Sequence, residues 1–92
     1  MIRSFKHKGL ETLFKTGNTK GVKQDHVKRL RNILAKLDSA LELADMSYPD
    51  SKLHSLQGDF QDHHAVTVSG NWRVTFKFEN GDADVVDYLN YH

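Results

Sequence analysis

Four side chains in the second half of the sequence are equipped for acid–base and phosphate chemistry without a metal: His54, Arg73, Tyr91 and His92. Cleavage of an RNA phosphodiester makes three demands. The 2′-OH must lose a proton, the phosphorane must be balanced by cations or hydrogen-bond donors, and the 5′-oxygen must gain a proton. Imidazole, guanidinium and phenol meet all three, and the Tyr91 ring also offers a face on which a splayed base can stack. The same residues have a plain structural reading. Arg73 would then be a cross-strand partner of Asp84 or Asp87, and Tyr91-His92 an ordered tail. Spacing by itself chooses neither.

Other chemistries find less support. Histidine is frequent, with six in 92 residues, but His7 and His26 fall in a basic helical half and are expected to be solvent-exposed. His63 and His64 are consecutive, so in a strand they point to opposite faces and cannot chelate one ion together. A metal set of His54, His64 and His92 lacks HExxH or any comparable ligand spacing. There is no phosphate-cradling glycine loop, no GxSxG and no paired-carboxylate signal, so no cofactor and no metal are expected. Cysteine is absent, which excludes a disulfide framework, a thiolate nucleophile and a Cys-type zinc site, and fits a cytoplasmic protein. Met1 to Lys8 contains no apolar signal region, and no run approaches the length that spans a bilayer, so no membrane association is expected.

These side chains need a scaffold. Asn71 to Phe78 alternates Trp72, Val74, Phe76 and Phe78 with Arg73, Thr75 and Lys77, the period of a strand with one buried face. Glu79-Asn80-Gly81-Asp82 is a tight hairpin signal, because a type I′ turn needs positive φ at both central residues. The returning strand, about Ala83 to Leu89, carries the C-terminal residues back beside Trp72 and Arg73. Ile2 to Phe5 reads as a short strand of unknown partner. Lys8 to Lys15 places Leu10, Leu13 and Phe14 on one helical face, with Gly17 as a stop. Lys23 to Ala44 steps Val27, Leu30, Leu34, Leu37 and Leu41 along one stripe and predicts a long amphipathic helix. After a break at 45–51, a Lys52 to Asp59 segment and a polar loop over 60–63, His64 to Ser69 is a strand and Ser69-Gly70-Asn71 a turn. The order β, α, α, then three antiparallel strands, predicts an α+β fold of one domain, 1–92: two helices packed on one face of a small antiparallel sheet.

Charge is unevenly spread. Residues 1–46 hold ten Lys/Arg against five Asp/Glu, whereas residues 47–92 hold three against seven. The basic half suits a phosphate backbone or an acidic protein partner. Asp82, Asp84 and Asp87 would repel phosphate unless they face away from it, and the sequence does not say which strand face they occupy.

Four stretches together carry a resemblance: Met1-Ile2-Arg3-Ser4-Phe5-Lys6-His7-Lys8-Gly9-Leu10, Leu53-His54-Ser55-Leu56-Gln57-Gly58-Asp59, Asn71-Trp72-Arg73-Val74-Thr75-Phe76 and Asn90-Tyr91-His92. The chain resembles a HigB-type toxin of the RelE/ParE superfamily over essentially its full length. The resemblance implies a RelE-like fold and a ribosome-dependent endoribonuclease. Such an enzyme enters the 30S A site, cuts the mRNA codon there, and is restrained by a HigA-like helix-turn-helix antitoxin, through whose complex alone it meets operator DNA. By position, the family's catalytic histidine falls on His54, its phosphate-binding arginine on Arg73, and its terminal pair on Tyr91 and His92. Lys and Arg on the long helix and its flanking loops would then dock on ribosomal RNA.

Two positions depart from the pattern. Gln57 stands where the family usually has a phosphate-contacting lysine, and Asn90 where it usually has aspartate. Losing a carboxylate that orients an imidazole weakens catalysis, so the resemblance implies a mild toxin or one with altered pH dependence. Two rivals remain on the sequence alone: a ParE-like gyrase inhibitor, since the superfamily includes gyrase poisons, and a weakened module kept for binding the antitoxin.

Overall fold

The computed structural model describes residues Met1–Tyr91. Its first helix, α1 (Lys8–Thr16), begins where His7 Nδ1 accepts the Leu10 N–H at 3.0 Å, and ends where the Gly17 N–H bonds the Leu13 carbonyl. It buries Leu10 and Leu13. The second, α2 (Val27–Ser39), follows a 3₁₀ turn at Gln24–His26 and buries Leu30, Ile33, Leu34 and Leu37. The expected helix over 23–44 is therefore too long at both ends. Its C-terminal stop has a local cause. The Asp45 carboxylate accepts from the Leu41 and Glu42 amides at 2.9 and 3.2 Å and closes a capping box that opens a new 3₁₀ turn, Leu43–Met46. Side-chain oxygens have taken the donors a continued helix would need. Leu41, read as part of the apolar stripe, is instead 84% exposed. Between the helices, Gly9 and Gly21 touch backbone to backbone, and an added Cβ on Gly9 would collide with the Gly21 carbonyl.

Four strands form one antiparallel sheet in the order β1 (His54–Ser55), β2 (His63–Ser69), β3 (Trp72–Glu79), β4 (Asp82–Asn90). The extra strand relative to the sequence reading is β1, which pairs His54 with Ala65 and Ser55 with His64. The β3–β4 turn takes the expected form, with Asn80 at φ 52° and Gly81 at φ 82°. The N-terminal segment finds its partner on the outer edge of β4. It makes only two isolated parallel bridges there, Ile2 to Ala83 and Phe5 to Val86, rather than a continuous strand. One apolar cluster joins α1 and α2 to Val66, Val68, Val74, Phe76, Val86 and Tyr88, so both helices lie on the same sheet face.

Strict alternation fails once, in β4. Lys77 pairs with Asp84 and Thr75 with Asp87, so Val85 and Val86 together oppose Phe76. This is a β-bulge, and Val85 adopts φ 48° to make it. The extra residue changes the phase of the strand. Asp84 and Asp87, three apart, come out on one face, while Val86 and Tyr88 turn to the helices. Both aspartates thus share the face of Arg73, Thr75 and Lys77.

Candidate functional site

The sheet face turned away from the helices is built in rows by the strand register. One row runs His54, Ala65, Thr75, Asp87, and the next Thr67, Arg73, Leu89. The Tyr91 N–H donates to the Asn71 carbonyl at 2.7 Å, which continues the ladder and sets Tyr91 on the same face as Arg73. With strands about 4.8 Å apart, the His54 backbone stands about 10 Å from β3 across a floor of small side chains. That floor, Ala65 and Thr75, is closed to solvent.

His54 is exposed, and its Nδ1 lies 2.9 Å from the Lys52 carbonyl. A carbonyl can only accept, so Nδ1 carries the hydrogen, and in the neutral ring the lone pair is on Nε2. Arg73 is half-buried and donates through Nη1 to the Gly70 and Trp72 carbonyls at 2.6 and 3.0 Å. It is pinned by the β2–β3 turn, not paired with Asp84 or Asp87. Burial raises the Tyr91 pKa above the ordinary phenol value; Arg73 pulls against that shift and Asp87 adds to it. The phenol therefore remains a hydrogen-bond donor across the physiological range.

The structure separates Asn90 from this trio. Asn90 pairs with Trp72 and so belongs to the opposite face. There it lines a groove of about 800 Å³ with Lys23, Lys28, Arg29, Asn71 and Trp72. Gln57 is exposed at the entry to the 3₁₀ turn Gly58–Phe60, three residues beyond His54. His92 lies outside the described residues.

Two histidines were misread. His26, expected in solvent, is 6% exposed, and its Nδ1 is 2.6 Å from the Tyr88 hydroxyl. Trp72 and Tyr88 pack edge-on against it. Burial lowers its pKa, helped by Lys23 and Arg29 and opposed by Asp25. No local pattern reveals this, because the partner lies 62 residues away. His7 is likewise not free in solvent, since it caps α1 and packs edge-on against Tyr88.

Comparison with known proteins decides the family. Residues 3–92 match the HigB-like toxins, described as RelE-like toxins of the type II toxin-antitoxin system HigB. This chain belongs to the HigB-like toxin family. It is 46% identical over 92 residues to Endoribonuclease HigB of Proteus vulgaris, covering 100% of both chains. In structure it is similar to YafQ from E. coli strain BL21(DE3), with a TM-score of 0.58 at 16% identity, covering 98% of this chain and 91% of that one. The latter likeness concerns the fold, and it agrees with the RelE-like architecture expected from the sequence.

For a HigB-like toxin of a type II system an antitoxin partner follows from the family. No helix among the described residues is long and apolar enough to cross a membrane. In this HigB-like chain the face bearing His54, Arg73 and Tyr91 is left uncovered by the helices, and the basic groove opens on the other side of the same sheet end. Lys23, Lys28 and Arg29 in that groove outnumber its one carboxylate, Asp25. The predicted basic character of the first half is thereby concentrated beside the last residues of β4.

Proposed function

We propose that this protein is an endoribonuclease toxin that cuts mRNA codons in the ribosomal A site with His54, Arg73 and Tyr91 as its working side chains. The observation that carries the reading is the register that brings these three to one open sheet face, in a chain 46% identical to an endoribonuclease over its whole length. His54 Nε2 takes the proton of the 2′-OH, and the 2′-oxygen attacks phosphorus. Arg73 balances the charge that builds on the non-bridging oxygens. The P–O5′ bond breaks, and the departing oxygen takes a proton from Tyr91 or His92. The products are a 2′,3′-cyclic phosphate and a 5′-hydroxyl, with no metal needed to close the proton balance.

Residues 1–92 act as one toxin domain in the cytoplasm. The basic groove beside Asn90, continued by the basic face of α2, docks on ribosomal RNA of the 30S A site through phosphate contacts, which makes binding strongly salt-dependent. A HigA-like helix-turn-helix antitoxin holds the toxin in check and carries it to operator DNA. Gln57, exposed three residues beyond His54, offers the substrate backbone a neutral donor rather than a cation.

Primer extension on mRNA after induction without antitoxin tests the reading, run beside His54→Ala and a deletion of His92. New 5′ ends inside codons, lost in both variants, are expected. Growth arrest with intact mRNA and accumulating DNA breaks would overturn it in favour of a gyrase target.

A further inference from the structure

The face on which Tyr91 emerges is decided at the bulge, and the bulge is held from outside the sheet. Val85 occupies a left-handed φ of 48°, the conformation that a bulge of this kind normally gives to glycine and that a β-branched residue resists. Because Val85 and Val86 share one opposing residue, the ladder with β3 is interrupted here. The N-terminal segment supplies what the ladder lacks. The Ser4 hydroxyl accepts the Val85 N–H at 2.8 Å and donates to Asp84 Oδ1 at 3.3 Å. The Ser4 carbonyl accepts the Val86 N–H at 3.1 Å, and the Val86 carbonyl takes the Lys6 N–H at 2.9 Å.

The hairpin turn fixes the first half of β4 through the pairs Glu79–Asp82, Phe78–Ala83 and Lys77–Asp84. If the chain continued from there without the extra residue, Val74 would pair with Asp87 and Arg73 with Tyr88. Every side chain from Val86 onward would then change face, because a slip of one residue inverts a strand. Tyr91 would leave the Arg73 side, and Asp87 would turn toward the apolar core.

We propose that Ser4 is a positioning residue for the candidate nuclease site: its hydroxyl clamps the Val85 bulge and so sets the phase that puts Tyr91 on the face of Arg73 and His54. This rests on the nuclease reading of that face. Ser4 touches no substrate; it acts through the end of β4. Residual pairing and the exclusion of Asp87 from the core keep part of the population in register without it.

The test compares Ser4→Ala, Ser4→Thr and the double variant Ser4→Ala/Val85→Gly, at a low temperature where each is folded by circular dichroism. Cleavage on programmed ribosomes gives kcat and KM, and amide nuclear Overhauser contacts between Thr75 and Asp87 report the register whether or not the protein cuts RNA. Ser4→Ala is expected to weaken those contacts and lower kcat by about tenfold with little change in KM, the size of effect a small misplacement produces. Ser4→Thr, which keeps a hydroxyl, and the double variant, in which glycine holds the positive φ unaided, are expected to recover both signals. Ser4→Ala with a lower melting temperature but unchanged contacts and kcat would overturn the proposal. If the parent protein does not cut RNA, the nuclease reading falls, and the contacts still decide whether Ser4 sets the register.

Discussion

The two faces of this sheet use the same residue types for opposite ends. On the helix side, His26 is enclosed, bonded to the Tyr88 hydroxyl, and packed edge-on against Trp72. On the open side, His54 is exposed and bonded only through Nδ1 to its own segment, while Tyr91 stands near Arg73. A histidine and a tyrosine therefore pack the molecule together on one face, and on the other they are the residues proposed to meet a substrate. What separates the two histidines is that the His26 ring is enclosed by Trp72 and Tyr88 while that of His54 is left to solvent. Residue type alone did not distinguish them.

The sharpest way to break this comparison is to delete one histidine from each face. His54→Ala should lower codon cleavage by at least about 100-fold, the usual worth of a positioned general base, and leave stability within about 0.5 kcal/mol, as for an exposed side chain. His26→Ala should do the reverse. Taking the His26 acceptor from the buried Tyr88 hydroxyl, which keeps only its hydrogen bond with the Lys23 backbone, costs about 2 kcal/mol, or about 10 °C in melting temperature for a domain of this size, with kcat of the folded protein little changed. Thermal melts and primer extension on the same preparations check both. Equal loss of activity in the two variants would abolish the distinction between the faces.

Proton dependence sharpens the comparison further. Burial is the main reason that His26 and His64 sit below the ordinary histidine pKa of 6.5. The unfolded chain then takes up protons before the folded chain does. Stability is thus fullest above about pH 6.5 and falls as pH drops through that value. Melting temperatures measured between pH 7.5 and 5 should decline, and His26→Ala should flatten the slope. The smallest expected effect belongs to Asn90→Asp. It restores the carboxylate usual in the family, but in the groove with Lys23, Lys28 and Arg29 rather than beside Arg73. Cleavage should rise by less than about tenfold, as expected of a group that acts at the edge of the chemistry, and kinetics on programmed ribosomes would detect it.

Much of the scaffold was legible because it is written in local chemistry. The alternation from Trp72 to Phe78, the Asn80-Gly81 turn and the Leu10 and Leu13 face of α1 all act within a few residues. So did the choice of Arg73, which its strand period put on the polar face. The failures share a cause in contacts between distant residues or in competition for backbone groups. The end of α2 depended on Asp45 capturing amides that helix periodicity had claimed. The burial of His26 depended on Tyr88. The face of Asn90 was not assigned, and the bulge at Val85 that fixes it is supported by Ser4 from the other end of the chain. A two-residue strand such as His54–Ser55 is too short to show a period at all.

The contact between Gly9 and Gly21 belongs to the helix side of the molecule and not to the row of His54, Arg73 and Tyr91, yet it enlarges the genetic target of the toxin. Any side chain at either position is a wedge driven between the start of α1 and the loop that leads to α2. In a culture that survives induction, the inactive alleles need not map to the face proposed to cut RNA. Missense changes at these two codons are expected to disarm the protein by architecture.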